Sequence, residues 1–176
     1  MAEIPIEIVC VGYHDITPIE NAILFLNNLQ KAFKYTLIRN KKSEDYEGET
    51  KYRYTTSEIY KLFDEIFIKD IQSYLIGVTK RLLDGHSLGN LFGATQLSKR
   101  KNLKKGITTL YEIKEIFGEI PIEIYLIFEF LSFSIRFLVG RGLIHDQTLR
   151  CVFDRKIEKN EILDGVKRGN FLRRML

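Results

Sequence analysis

Histidine and cysteine are scarce in this chain, with three of the first and two of the second among 176 residues. Two cysteines, Cys10 and Cys151, cannot build a disulfide framework. His14 and Asp15 have no nucleophile beside them, His86 has no partner within sequence reach, and with three His and two Cys scattered singly no catalytic triad can be argued. A phosphate-binding loop is missing as well. The stretch "DGHSLGNLFG" (84–93) has glycines, but neither the Lys-Ser/Thr pair nor the G-x-G-x-x-G spacing. An uninterrupted apolar run is also lacking. The longest one, "IPIEIYLIFEFLSFSIRFLVG" (120–140), is broken by Glu123, Glu129 and Arg136, each costly at the centre of a bilayer. It predicts a buried helix instead of a membrane span. The opening "MAEIPIEIVCVG" has no basic start or cleavage site of a secretory signal. Together with the few cysteines, this predicts a cytoplasmic protein.

What the chain does contain fits one compact domain over residues 1–176: 45% apolar and 28% charged residues, with no repeat, low-complexity segment or dividing linker. Net charge is +4, concentrated in "SKRKNLKK" (98–105) and "VKRGNFLRRML" (166–176). Such runs read first as solvated loops and tails. Contact with nucleic acid through phosphate attraction is a further reading, and it ranks last because no aromatic signature or helix-turn-helix spacing accompanies the charge.

"IPIEIVCVG" alternates and then runs apolar, as a strand entering a sheet does. In "TPIENAILFLNNLQKAF", Thr17 can cap a helix, Pro18 suits its first turn and Glu20 completes a capping box. Ile19, Ile23, Leu26, Leu29 and Phe33 form one helical stripe. "KYTLIR" follows as a second strand, and "NKKSEDYEGET" (40–50) reads as a polar loop. "TSEIYKLFDEIF" is a second amphipathic helix with Thr56 or Ser57 as cap. "SYLIGVT" is wholly apolar, as in the middle of a parallel sheet. "KRLLDGHSLGNLFGATQLSKRKN" reads as irregular, "GITTLYEI" (106–113) as an exposed or edge strand, and the longest helix runs from about Pro121 to Gly140.

The order of these segments resembles the archaemetzincins, a family of small metzincin-type zinc peptidases. "KYRYTTSEIYKLFDEI" is similar to their Arg-x-Gln-Tyr segment, with Tyr54 in the Tyr place. "YLIGVTKRLLDGHSLGNLFGATQLS" resembles their central strand and an Asn-Phe-x-Phe-Gly-x-Ala box, in or near which fall Asn90, Phe92, Gly93 and Ala94 or Thr95. "GITTLYEI" resembles their edge strand, with Glu112 where a basic residue is usual. The fourth stretch, "IRFLVGRGLIHDQTLRC" (135–151), falls where such enzymes carry H-E-x-x-H-x-x-G-x-x-H-C and then C-V-M. Laid ungapped, Gly142 takes the Gly place, Leu143 the apolar place, His145 the third His and Cys151 the later Cys.

The chemistry-bearing positions differ. Ile135 and Val139 stand at the first two His and Arg136 at the general-base Glu. Hydrocarbon has no lone pair, and a guanidinium has donors only, so neither ligates a metal nor deprotonates a water. A guanidinium beside a dication is repelled by several kcal/mol at an effective dielectric of about 20. The family's four-cysteine zinc site is altered too, with Asp146, Leu172 and Met175 where Cys would stand and Phe153 at the Met of C-V-M.

The resemblance implies an α/β fold: a metzincin-like single domain, a mixed twisted sheet with an antiparallel edge strand, and helices that include a long central former active-site helix. It implies a catalytically inactive pseudopeptidase with no metal or other cofactor, acting as a protein- or peptide-binding module. Its cleft would be lined by Thr109, Tyr111, Arg136 and His145, with strand addition along "GITTLYEI". An internal ion pair of Arg136 with Glu129, two turns earlier, competes with that role. A zinc-dependent hydrolase with a displaced site remains the alternative, beside the nucleic-acid binder. Oligomeric state is open.

Overall fold

The computed structural model describes residues 3–50, 52–66, 74–86, 88–97, 104–140 and 159–168, the side chains of Asn160 and Arg168 aside. The predicted positions at Gly142, Leu143, His145, Asp146, Cys151, Phe153, Leu172 and Met175 lie outside them.

The opening strand, helix, strand unit forms as the pattern dictates, with β1 (Ile4–Cys10) and β2 (Phe33–Ile38) parallel and α1 (Thr17–Leu29) between them. The polar segment after β2 holds a short helix α2 (Lys41–Glu44), capped by the Asn40 side chain accepting from the Ser43 N–H. There follow β3 (Arg53–Thr55), α3 (Thr56–Ile66), β4 (Tyr74–Thr79), β5 (Leu82–Asp84), β6 (Gly93–Gln96) and β7 (Lys104–Thr109). The helices α4 (Ile113–Phe117), α5 (Ile122–Val139) and α6 (Lys159–Arg168) complete the described chain. The main sheet runs β2-β1-β4-β7-β6, parallel except for antiparallel β6 at its edge, and β3 and β5 make a small parallel ribbon. This is the mixed sheet with an antiparallel edge strand that the resemblance implies, and β4, read as wholly apolar, lies at its centre.

Each sheet face buries its own core. On one side α1, α4, α5 and α6 cover Ile6, Ile8, Ile76 and Val78; on the other, α3 and the ribbon cover Val9, Leu75 and Ile107. Hydrogen-bonded to β4 on one side and to β6 on the other, β7 is not the edge strand that "GITTLYEI" suggested. Its threonines are buried and internally bonded instead: the Thr108 hydroxyl donates to the Phe92 carbonyl (2.9 Å) and that of Thr109 to the Arg81 carbonyl (2.6 Å). The edge is β6, inside the glycine-rich stretch read as irregular.

Helix starts deviate by one residue from the sequence reading. α1 is preceded by Ile16, with no side-chain cap; the Thr17 N–H donates to Asp15 Oδ1 (3.3 Å), so the Thr17–Glu20 capping box does not form. At α3 the box is Thr55–Glu58: the Glu58 N–H donates to Thr55 Oγ1 (3.2 Å) and the Thr55 N–H to Glu58 Oε2 (2.9 Å). Of the α1 stripe, Ile19 and Leu26 are buried with Ala22, whereas Leu29 is exposed and Phe33 belongs to β2.

The basic run "SKRKNLKK" is not wholly solvated. Its last residue, Lys105, is fully buried on β7, with Nζ 2.6 Å from Asp64 Oδ1 and donating to the Tyr60 carbonyl (2.9 Å). Removing one partner of a buried pair strands the other charge, at a cost that the partial exposure of Asp64 moderates. Asp64→Ala is therefore expected to lose about 2 kcal/mol, and Asp64→Ala with Lys105→Met to recover most of it. Urea denaturation of the single and double variants checks this.

Candidate functional site

The resemblance puts the candidate site on α5, and the structure shows how that helix is held. Phe133 is fully buried and lies over two glycines on adjacent strands: a Cβ built on Gly93 would come within 2.8 Å of its ring, and one on Gly106 within 2.9 Å. Only glycine at these places lets the helix approach the sheet so closely. α5 runs antiparallel to β7. At its start the Tyr125 hydroxyl reaches the Thr109 carbonyl (3.1 Å) and Thr108 Oγ1 (2.7 Å), while near its end the Phe137 carbonyl accepts from Lys104 Nζ.

That orientation divides the predicted site residues. Arg136 stands near the amino end of β7, whereas Thr109 and Tyr111 stand at or just beyond its carboxyl end. Eleven residues of helix separate Tyr125 from Arg136, which is about 16 Å at 1.5 Å per residue. Thr109 is fully buried and Tyr111 is partly exposed, with Lys159 Nζ 4.9 Å from its ring centroid. These two do not share a cleft with Arg136. Ile135 is half-buried against the main core, and Val139 is 49% exposed.

Arg136 acts on Glu129. This glutamate is buried beside the edge strand, with Oε2 3.3 Å from where a Gly93 Cβ would lie. Burial pushes its carboxyl up to about 7, and the charge of Arg136 pulls in the opposite direction. The Arg136 Nε is buried without a hydrogen-bond partner. Glu129 thus links the two elements: its carboxylate lies against Gly93 of β6, the last strand of the described sheet, and feels the charge of Arg136 on α5. Among the described residues no group of three or more His, Cys, Asp or Glu stands together to hold a metal ion.

A second polar cluster locks the other end. Lys159 of α6 is buried, and its Nζ donates to Asn90 Oδ1 (2.6 Å), the Tyr111 carbonyl (2.9 Å) and Glu112 Oε2 (3.4 Å). The Asn90 amide and then Lys159 hold the Glu112 carboxyl below its ordinary range. Asn90 and Glu112 both adopt positive φ (51° and 60°). The sequence flagged Asn90 and Glu112 through the resemblance but gave no sign of Lys159, which comes from a distant helix. His14 sits exposed between Glu44 (3.9 Å) and Asp45 (3.7 Å), and Asp15 anchors the turn before α1, matching the polar-turn reading of this pair. Burial pushes the Cys10 thiol up to about 12, which leaves it unreactive.

Among the described residues no helix is long and apolar enough to cross a membrane. No family model matches the chain, and no curated protein does. Among solved structures, the crystal structure of archaemetzincin from Methanopyrus kandleri at 1.5 Å resolution superposes with a TM-score of 0.61 at 14% identity, covering 95% of this chain and 87% of that one. At that identity the likeness establishes architecture: this mixed α/β domain, with its antiparallel edge strand packed on helices, has the archaemetzincin-like fold.

Proposed function

We propose that this chain is a metzincin-type pseudopeptidase, a cytoplasmic protein- or peptide-binding module whose scaffold works without zinc or hydrolysis. The observation that carries the reading is on α5, where Arg136 faces the buried Glu129 and is flanked in sequence by Ile135 and Val139, so that one turn presents hydrocarbon and a cation. The edge strand supplies the complementary half. β6 has one described neighbour, β7, and its other side offers main-chain groups to an extended segment. A carboxylate on such a segment would be drawn by the charge of Arg136, which acts on Glu129 beside Gly93.

Elemental analysis of mildly purified protein is expected to give far less than one zinc per chain, with no chelator-sensitive peptide cleavage. Stoichiometric zinc together with chelator-sensitive cleavage would sink the proposal in favour of a displaced hydrolase site. An extended acidic peptide is expected to shift the amide resonances of Gly93–Gln96, and Arg136→Gln to weaken it about tenfold, the loss of one charge-assisted hydrogen bond.

A further inference from the structure

β1 and β4 are paired neighbours whose chains leave the sheet towards opposite faces. After β1 the chain enters α1 on the side of the larger core; after β4 it enters β5 on the other side. Such a divergence opens a crevice at the carboxyl ends of the two strands, where open α/β sheets take ligands. Here it leads into a cavity of about 720 Å³, bordered by Tyr13 and Asp15 after β1, Lys80 after β4, and the segment from Leu110 to Ile122. It lies at the start of α5, away from Arg136 and β6.

The lining has three parts. Tyr13 is 5% exposed, and its hydroxyl makes no hydrogen bond of full geometry, only a weak approach to Asp15, a costly state for a buried donor. Burial and then the nearby Asp15 carboxylate push it up, so it remains protonated and can donate. Lys80 Nζ lies 4.4 Å over the Tyr13 ring and 3.8 Å from Asp15 Oδ2, and both charged side chains are more than half exposed. Ile113, Phe117 and Ile122 give an apolar wall. Two helices of 13 and 18 residues, α1 and α5, also begin at this wall, and neither Ile16 nor Pro121 caps its helix with a side chain. In α1 the leading amides are already engaged, Thr17 by Asp15 and both Ile19 and Glu20 by the Ile16 carbonyl, so it is the positive dipole ends that favour an anion.

We infer that this cavity binds a free apolar α-amino acid as its zwitterion. The carboxylate takes the idle Tyr13 hydroxyl and Lys80. As Lys80 turns to it, the ligand's ammonium replaces Lys80 at Asp15, so the exchange conserves charge. The aliphatic or aromatic side chain lies on Ile113 and Phe117. A simple acid would leave Asp15 uncompensated and a simple amine would leave Tyr13 idle, so both ends of the ligand are read.

The test uses the full chain with L-leucine and L-phenylalanine, and with N-acetyl-leucine and leucine amide as blocked forms, followed by calorimetry and amide resonances. At least one free amino acid is expected to bind and to shift residues 13–15 and 80, while each blocked form binds at least tenfold more weakly. Tyr13→Phe is expected to weaken binding about fivefold with melting temperature unchanged or raised, since it removes an unpartnered group. Lys80→Met is expected to weaken it at least as much. No binding up to about 10 mM, beyond the weak end of useful affinity, would overturn the inference. So would equal binding of free and blocked forms, or a Tyr13→Phe variant that melts lower yet binds as before.

Discussion

Phe133→Ala is expected to cost about 4 kcal/mol, the upper part of the range for removing a fully buried phenyl ring. In a domain of this size that lowers Tm by about 10 °C. The ring is inaccessible and rests over Gly93 and Gly106, which have no side chains to move into the space it vacates. The loss therefore includes a cavity as well as the transfer of the ring to water. The consequence reaches the candidate site, because Gly93 begins the edge strand and lies against both Phe133 and Glu129. Thermal denaturation followed by circular dichroism reads the stability, and amide exchange across β6 reads whether the edge loosens with it. A loss below about 1 kcal/mol would mean that the helix resettles on the sheet, and that close approach through glycine is not what positions α5.

Which parts of this fold a sequence reader can see depends on how local their cause is. β4 is legible because a strand covered on both faces must be apolar throughout, and Leu75, Ile76 and Val78 are. α5 is legible by length and hydrophobicity. The α3 capping box is written in the sequence as Thr-x-x-Glu from Thr55 to Glu58, and choosing Thr56 or Ser57 overlooks the reciprocal bond that fixes the register. β5 and β6 are hidden because strands of three and four residues owe their conformation to partners far along the chain. The same holds for Lys105, which reads as one more surface charge until Asp64 of α3 is placed beside it. The candidate site divides likewise. The approach of Arg136 to Glu129 follows from helical spacing, two turns on one face. The separation of Arg136 from Thr109 and Tyr111 does not, since it depends on the direction in which α5 crosses β7.

The charge of Glu129 is expected to make stability depend on pH in the direction opposite to that of an ordinary surface carboxylate. In the unfolded chain the group titrates at its ordinary value near 4.5, and in the folded protein burial raises it to about 7. Below the lower value both states carry the proton and burial exacts no electrostatic penalty. As pH rises between the two, the unfolded chain releases its proton first and stability falls; above about 7 the loss is complete. A gap of this width corresponds to about 3 kcal/mol. Glu129→Gln keeps the shape and removes the titration, but it also takes from Arg136 its countercharge. At pH 8 the variant is expected to be more stable than the parent by about 2 kcal/mol, and the two should converge towards pH 4.5. Urea titrations from pH 4 to 8 measure the difference at each point. A variant that is less stable at pH 8 would show that the carboxylate–guanidinium attraction outweighs burial, and Arg136 would then be committed to Glu129. The predicted sign leaves Arg136 only loosely engaged near pH 7, the condition that the proposed binding of an external carboxylate requires.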